Sequence, residues 1–423
     1  GKSATDSTSD PVLVLDNDDD DDGWVDLNDE DPLNASLGRL TKESALSKLV
    51  DARTQACFKE RMGGAAYADE ISEILCYFER EDPARSIEGM QHFINLARVR
   101  LEFGAIADIS PLQHLQLLTD LVLDNGFYGD DLSPLGRVSN LVSLRIASTD
   151  PSSFWLASLT NLEEYHLTLL NCADGCSEIN FEPILALPKL KSLAIYHGFE
   201  GELSVLANHP TLSELILMNH GVVDWAPLTS IVNLSKLSII GGSFDYAVVA
   251  GLALTDLSLN GAVPTGSISD FGYLDQLPSG LKTLRLMNVG LQTAKFIGRL
   301  GQLEELDLST NVLEEVPLTS LENLNWVQIS GNRLASLVVS DLPRLRQLYA
   351  GNNQISSVAL SNLPMLYFID LNENQLFDLT TLRDFLVNQP DSEDLFEIRL
   401  RNNGIENLGP LAGLERIGSL QLN

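Results

Sequence analysis

No run of about 18 apolar residues occurs in the 423-residue chain, so no segment has the apolar length to cross a bilayer as a helix. Basic residues are scarce. Lys and Arg number 27 against 59 Asp and Glu, for a net charge of −32. Phosphate recognition needs clustered Lys and Arg, so this balance argues against nucleic acid as a partner. There are only four cysteines: Cys57, Cys76, Cys172 and Cys176. An even, small number fits two bridges in a secreted protein and equally four thiols in a cytosolic one, so position has to decide. The six histidines (His92, His114, His166, His197, His209 and His220) form no H-E-x-x-H and no other zinc spacing. His92, His114 and His209 are expected on the surface. There is no G-x-S-x-G elbow and no phosphate loop. The glycines of GGSFDYAVVAG (241–251) lack the Lys-Ser/Thr that such a loop requires. With every catalytic motif missing, the chain is read as a binding or structural protein and not as an enzyme.

What the sequence does have is leucine at a fixed period. The segments LEELDLSTN (303–311), LNWVQISGN (324–332), LRQLYAGNN (345–353) and LYFIDLNEN (366–374) start 21 residues apart. Each fits L-x-x-L-x-L-x-x-N with apolar substitutes tolerated at the Leu positions, the leucine-rich repeat signature, whose period is about 20–29 residues. Alternate residues of each short strand, such as Leu306 and Leu308, should point inward. One coil cannot bury them alone, so coils stack. Asn311, Asn332, Asn353, Asn374 and Asn403 sit where the chain leaves the strand. An amide side chain both donates and accepts, so it can satisfy buried backbone groups of its own coil and the next.

Equivalent starts fall at Leu96, Leu118, Leu141, Leu162, Leu190, Leu212, Leu234, Leu254, Leu281, Leu303, Leu324, Leu345, Leu366, Leu395 and Ile417. The fold class expected is α/β: a leucine-rich repeat solenoid over 96–423 with a curved parallel sheet on its concave face. Three steps are longer, 28 residues after Leu162, 27 after Leu254 and 29 after Leu366. Such insertions map to loops. They carry NCADGC (171–176), VPTGSISDFGYLDQLPSG (263–280) and a helix candidate, LRDFLVNQP (382–390). In the first nine repeats the asparagine position is filled by Gly104, Gly126, Thr149, Leu170, Gly198, His220, Gly242, Ala262 and Val289. The terminal IGSLQLN (417–423) is a repeat strand with no successor, so its edge is expected to be open unless a partner covers it.

Residues 1–34 read as a flexible acidic linker. Residues 1–31 hold twelve Asp or Glu and one Lys, a net of −11. Within them Asp18, Asp20, Asp22, Gly23, Asp26 and Asp29 occupy positions 1, 3, 5, 6, 9 and 12 of a calcium loop, and Trp24 at position 7 can offer its carbonyl. Asp at position 12, and no helix-forming stretch before the loop, depart from the EF-hand pattern. The segment resembles instead the Asp-rich calcium repeats of thrombospondin type 3; a solvated acidic spacer is the competing reading. Gly1 in place of Met fits removal of a secretory or lipoprotein leader, with a lipid anchor upstream, and equally an arbitrary boundary.

Residues 35–95 form a helical cap with a zeroth coil. Leu46, Leu49, Val50 and Cys57 share one helix face over 36–62, ended by Gly63-Gly64. ISEILC (71–76) repeats the strand frame, which points Cys76 inward at the end the helix has to cover. A Cys57–Cys76 bridge is therefore expected, against two buried thiols. Cys172 and Cys176, spaced around an Asp-Gly turn, are expected to pair locally in an oxidising compartment.

The cap sequence CFKERMGG…YADEISEILC…SIEGMQHFINL resembles the N-terminal cap of secreted bacterial leucine-rich repeat proteins, and IADISPLQHL (106–115) and DLSPLGRVSNL (131–141) resemble internalin repeats. The resemblance extends loosely over 50–423 and implies an extracellular or cell-surface bacterial protein that binds a macromolecule. Outward residues of the strand frame form two groups: Trp326, Tyr349 and Phe368, flanked by Gln328, Asp370 and Asn372, and Tyr196, Ile216, Met218 and Ile240. Exposed aromatic or apolar surface marks a contact site. The expected function is recognition of a protein or carbohydrate ligand. The alternatives are a structural envelope or adhesion component acting by self-assembly, and an intracellular acidic regulator. Oligomeric state is not legible.

Calcium titration tests the first of these sites. The 16–31 segment should bind Ca²⁺ at about 10⁻⁴–10⁻³ M, the range of extracellular modules. Calorimetry should show heat for the wild type and none for Asp18→Ala/Asp22→Ala; equal binding by the double variant removes the site.

Overall fold

The computed structural model describes residues 39–124, 131–148, 154–169, 182–196, 202–265, 271–389, 396–415 and 417–422. The acidic segment with its candidate calcium ligands, the Cys172–Cys176 loop and His197 lie outside the described residues. The described residues divide into two compact units, one within 1–201 plus His209–Leu212 and the other Glu202–Asn208 plus 213–423.

The first unit opens with helices α1 (Lys42–Lys48) and α2 (Ala52–Arg61). The sequence pattern suggested one helix here; the structure has two. Asp51 accepts from the amides of Arg53 and Thr54, at 2.9 and 3.0 Å, and so starts a fresh helix. The break leaves Leu49 buried but turns Val50 out, 72% exposed, so Val50 is not on the covering face. Cys57, on α2, is bonded to Cys76, with Cα atoms 5.9 Å apart. Cys76 and Ile74 are fully buried on the strand Glu73–Tyr77, as the zeroth-coil frame requires. Phe58 of α2 stacks edge-on to Phe93 at 4.7 Å. The bridge thus ties the cap to the first coil.

Six parallel strands follow in sequence order: Glu73–Tyr77, Arg98–Glu102, Asp120–Asp124, Ser143–Ser148, Glu164–Leu169 and Ser192–Tyr196. Inward pairs such as Val99 and Leu101, or Leu121 and Leu123, are buried. The return of most coils is a turn of 3₁₀ helix; two of these, Ser110–His114 and Ser133–Arg137, begin Ser-Pro. Proline's fixed φ and missing amide hydrogen suit the first turn of a helix.

The second unit holds ten parallel strands, from Glu214–Met218, Lys236–Ile240, Asp256–Asn260 and Thr283–Met287 through Glu305–Asp307, Trp326–Gln328, Gln347–Tyr349 and Phe368–Asp370 to Phe396–Arg399 and Ile417–Gln421. The returns change character along it. They are 3₁₀ turns as far as Lys295–Arg299. Leu318–Thr319, Ser336–Ser340 and Ser357–Ser361 then pair as a second, three-stranded parallel sheet. Helix α3 (Thr380–Val387) follows, starting slightly earlier than the pattern at 382 suggested.

The asparagine ladder is regular. Asn332 accepts from the Leu313 amide at 3.0 Å and donates to the carbonyls of Leu308 at 2.9 Å and Ile329 at 3.0 Å. Asn353, Asn374 and Asn403 repeat this set one coil further each time. Asn311 adds the Val289 and Leu291 amides. Each amide therefore serves its own coil and the preceding one, not the next. Unpaired, such buried groups would cost about 1–3 kcal/mol each.

The residue before the ladder position is left-handed wherever the structure describes it from Asn219 onward: Asn219, Gly241, Gly261, Asn288, Thr310, Gly331, Asn352, Glu373 and Asn402 all have positive φ. Asn and Gly tolerate that geometry best, and they hold seven of these nine places.

His220 takes the ladder position where the following coil offers only Gly242. With no side chain there to accept from Val222, the His220 ring does so itself, Nδ1 lying 3.3 Å from the Val222 amide. A Cβ on Gly242 would come within 2.8 Å of Cε1 of His220, so the pair is mutually constrained. His209 corrects the expectation of a surface residue. It is 1% exposed, and its Nδ1 accepts from the Leu212 amide at 3.2 Å. Burial lowers both rings' pKa, that of His220 from 6.5 to about 4. A depressed histidine favours the fold fully above 6.5. That contribution is lost as pH falls from 6.5 towards 4, because the unfolded chain takes up the proton first. Urea unfolding across this interval should show stability falling with pH, and less steeply in His220→Asn, whose Oδ1 can replace Nδ1. Equal pH dependence in both proteins would refute the assignment.

Candidate functional site

The solvent-facing side of the second unit's sheet carries the third, fifth and seventh residue of each frame, because strand side chains alternate. In the ladder region strand ends are pinned by the amides just described. Trp326, Tyr349 and Phe368 lie on three neighbouring strands, with Trp326 registered to Gln347 and Gln328 to Tyr349. Neighbouring strands are roughly 4.8 Å apart, which sets the rings in contact. The Trp326 and Tyr349 centroids are 5.9 Å apart and tilted by 52°; those of Tyr349 and Phe368 are 4.7 Å apart and tilted by 40°. The rings zigzag between the third and fifth rows and form one column.

They are not equally accessible. Trp326 and Tyr349 are half-buried, but Phe368 is only 5% exposed. Tyr349 covers it on one side. On the other the Arg399 guanidinium carbon lies 4.8 Å from its centroid. Arg399 is held in place by Glu397, at 2.8 and 2.9 Å, and stands 3.8 Å from Asp370. The expectation that Phe368 is an outward contact residue is thus corrected: it is the floor on which Tyr349 and Arg399 rest.

The flanking polar residues also have prior engagements. Gln328 accepts from the Ser330 amide, Asp370 from Asn372, and Asn372 from Arg401, at 3.1, 2.9 and 2.7 Å. Asp307 does the same with Ser309 at 2.9 Å. Asp307, Gln328 and Asp370 end their strands by satisfying an amide two residues on, while Asn372 ties its turn to the next coil. The sequence signal was present as D-x-S, Q-x-S and D-x-N at the fifth and seventh positions. Gln347, absent from the sequence-based set, joins the rim. It donates to the Tyr367 hydroxyl at 2.5 Å and accepts from the Tyr349 hydroxyl at 3.4 Å, fixing that ring's tip.

The second sequence-derived group falls in two units. Ile216, Met218 and Ile240 are half-buried on one face of the adjacent strands Glu214–Met218 and Lys236–Ile240, with Met218 registered to Ile240. Tyr196 belongs to the first unit, where it meets His166 edge-on at 6.3 Å; Arg145 approaches Nδ1 of His166 at 3.1 Å. Among the described residues, no three His, Cys, Asp or Glu are grouped to hold a metal ion, and no helix is long and apolar enough to cross a membrane.

No family model matches the chain, and no curated protein matches it by sequence. Solved structures do. An internalin from Listeria monocytogenes superposes with a TM-score of 0.50 at 23% sequence identity, covering 89% of this chain and 96% of its own. A leucine-rich repeat protein from Leptospira interrogans gives a TM-score of 0.50 at 19% identity, covering 79% of this chain and 86% of its own. These likenesses show the leucine-rich repeat fold.

The unequal burial of the aromatic column has a measurable consequence. Phe368→Ala should lower stability by about 3 kcal/mol or more, as for a large core ring. Trp326→Ala should cost far less. Thermal unfolding of the two variants checks this; equal losses would mean that Trp326 is structural too.

Proposed function

We propose that this chain is an extracellular binding module that recognises a macromolecular ligand, protein or glycan, through the Trp326–Tyr349 surface of its second unit. The observation that carries the reading is the ordered aromatic pair on a floor it does not share with solvent. Phe368, braced on its far side by Arg399, holds Tyr349 from beneath, Gln347 fixes its hydroxyl, and the asparagine ladder fixes the strands. A surface rigid before binding loses little conformational entropy when a ligand docks. Half-exposed aromatics within a polar rim suit a protein hot spot or the face of a sugar ring.

An extracellular setting is supported by the Cys57–Cys76 bridge, because disulfides persist in oxidising compartments. The cap and repeat motifs resembling secreted bacterial proteins point the same way. The Asp-rich segment is proposed, on its spacing, as a calcium-responsive linker.

The test is a comparison of wild type with Trp326→Ala/Tyr349→Ala in capture from envelope and host-cell extracts, followed by affinity measurement on the component retained. Binding should weaken at least about tenfold, or about 1.4 kcal/mol, with little change in melting temperature. A double variant that binds the same component as well as the wild type would place the site elsewhere.

A further inference from the structure

On the same sheet face, away from the aromatic column, four adjacent strands carry Ile216, Ser238, Ser258 and Arg285 side by side at the fifth position. The two serines are short between longer neighbours, so the floor drops. Glu214, Lys236, Asp256 and Thr283, in register at the third position, form a wall. The result is a trough of about 260 Å³ lined by these residues.

Most of its polar groups differ from those around the aromatic column in being uncommitted. Among the described residues, the side chains of Glu214, Lys236, Ser238, Ser258 and Thr283 make no hydrogen bond or ion pair. Asp256 uses one oxygen to accept from the Thr255 hydroxyl at 2.7 Å. Arg285 is paired with Glu305 at 2.5 Å. Around the column, by contrast, Gln328, Asp370, Asn372 and Arg399 are all engaged within the protein.

We infer that this trough is a binding site for one neutral sugar ring, presented by a glycan. The charge pattern selects against ions. Lys236 stands in register between Glu214 and Asp256, so an anion meets two carboxylates and a cation meets the ammonium group. A polyol avoids both penalties, since each hydroxyl can donate to a carboxylate and accept from Lys236 or a serine. Strand spacing of roughly 4.8 Å sets the serine hydroxyls and the wall groups at intervals that a run of ring hydroxyls can bridge. Ile216 supplies an apolar flank for the ring's C–H surface. The inference is independent of the aromatic site, because the strand Glu305–Asp307 stands between the trough and Trp326.

The experiment is saturation-transfer NMR on the whole chain with methyl glycosides of glucose, galactose, mannose and N-acetylglucosamine at millimolar concentration. At least one glycoside should receive saturation. Ser238→Leu/Ser258→Leu, which fills the floor, should abolish the transfer. Glu214→Gln/Lys236→Met, which alters only groups without protein partners, should weaken binding by about tenfold with an unchanged melting curve. Trp326→Ala/Tyr349→Ala should leave it intact. No transfer to any glycoside, transfer unaffected by both trough variants, or transfer lost only in the aromatic variant would each overturn the inference.

Discussion

A coil of this fold turns sharply away from its strand, and the turn buries amides and carbonyls that no strand partner reaches. The second unit depends on how these groups are satisfied, because nearly every buried backbone polar group in a stable protein is paired. Between Asn311 and Asn403 one residue type meets the need. Each amide accepts from the preceding coil's turn and donates to the sixth-position carbonyls of both coils. Hydrophobic packing brings the coils together without direction. The ladder fixes where one stops relative to the next, and the sheet face inherits that spacing.

Coils without asparagine meet the same requirement by other means, and these carry constraints of their own. His220 closes its own turn where Gly242 cannot reach it. Gly242 then has to remain a glycine, because a Cβ would strike the ring. Ala262 has no polar side chain, and its carbonyl accepts from the Tyr246 hydroxyl at 3.1 Å. A single repeated device is therefore replaced by local arrangements, two of which bury an ionisable or polar ring.

The face that results divides its polar groups into two kinds. Near Trp326 and Tyr349 they end strands and brace rings, so an incoming ligand meets mainly aromatic surface. At Ser238 and Ser258, among the described residues, the neighbouring Glu214, Lys236 and Thr283 side chains have no protein partner. The difference follows from side-chain length. A long fifth-position residue such as Gln328 or Asp370 can reach the amide two residues on, whereas a serine at that position leaves its hydroxyl facing solvent and opens space above it.

The sequence by itself determined the repeat, its phase, the inward leucines, the cap-to-coil bridge and the ladder positions. Each of these depends on spacing along the chain, and a period of about 21 residues places equivalent positions one above another. It also located the aromatic column, because the third and fifth positions are outward by strand alternation. Only the tertiary structure decided which outward residues are exposed. Phe368 is outward by phase and covered by Tyr349 and Arg399 from neighbouring coils. Val50 is helical by pattern and solvent-exposed because Asp51 begins a new helix. His209 is polar by type and buried because its ring completes a turn. Exposure depends on what adjacent coils place across a gap of roughly 4.8 Å, and no periodicity within one coil encodes that.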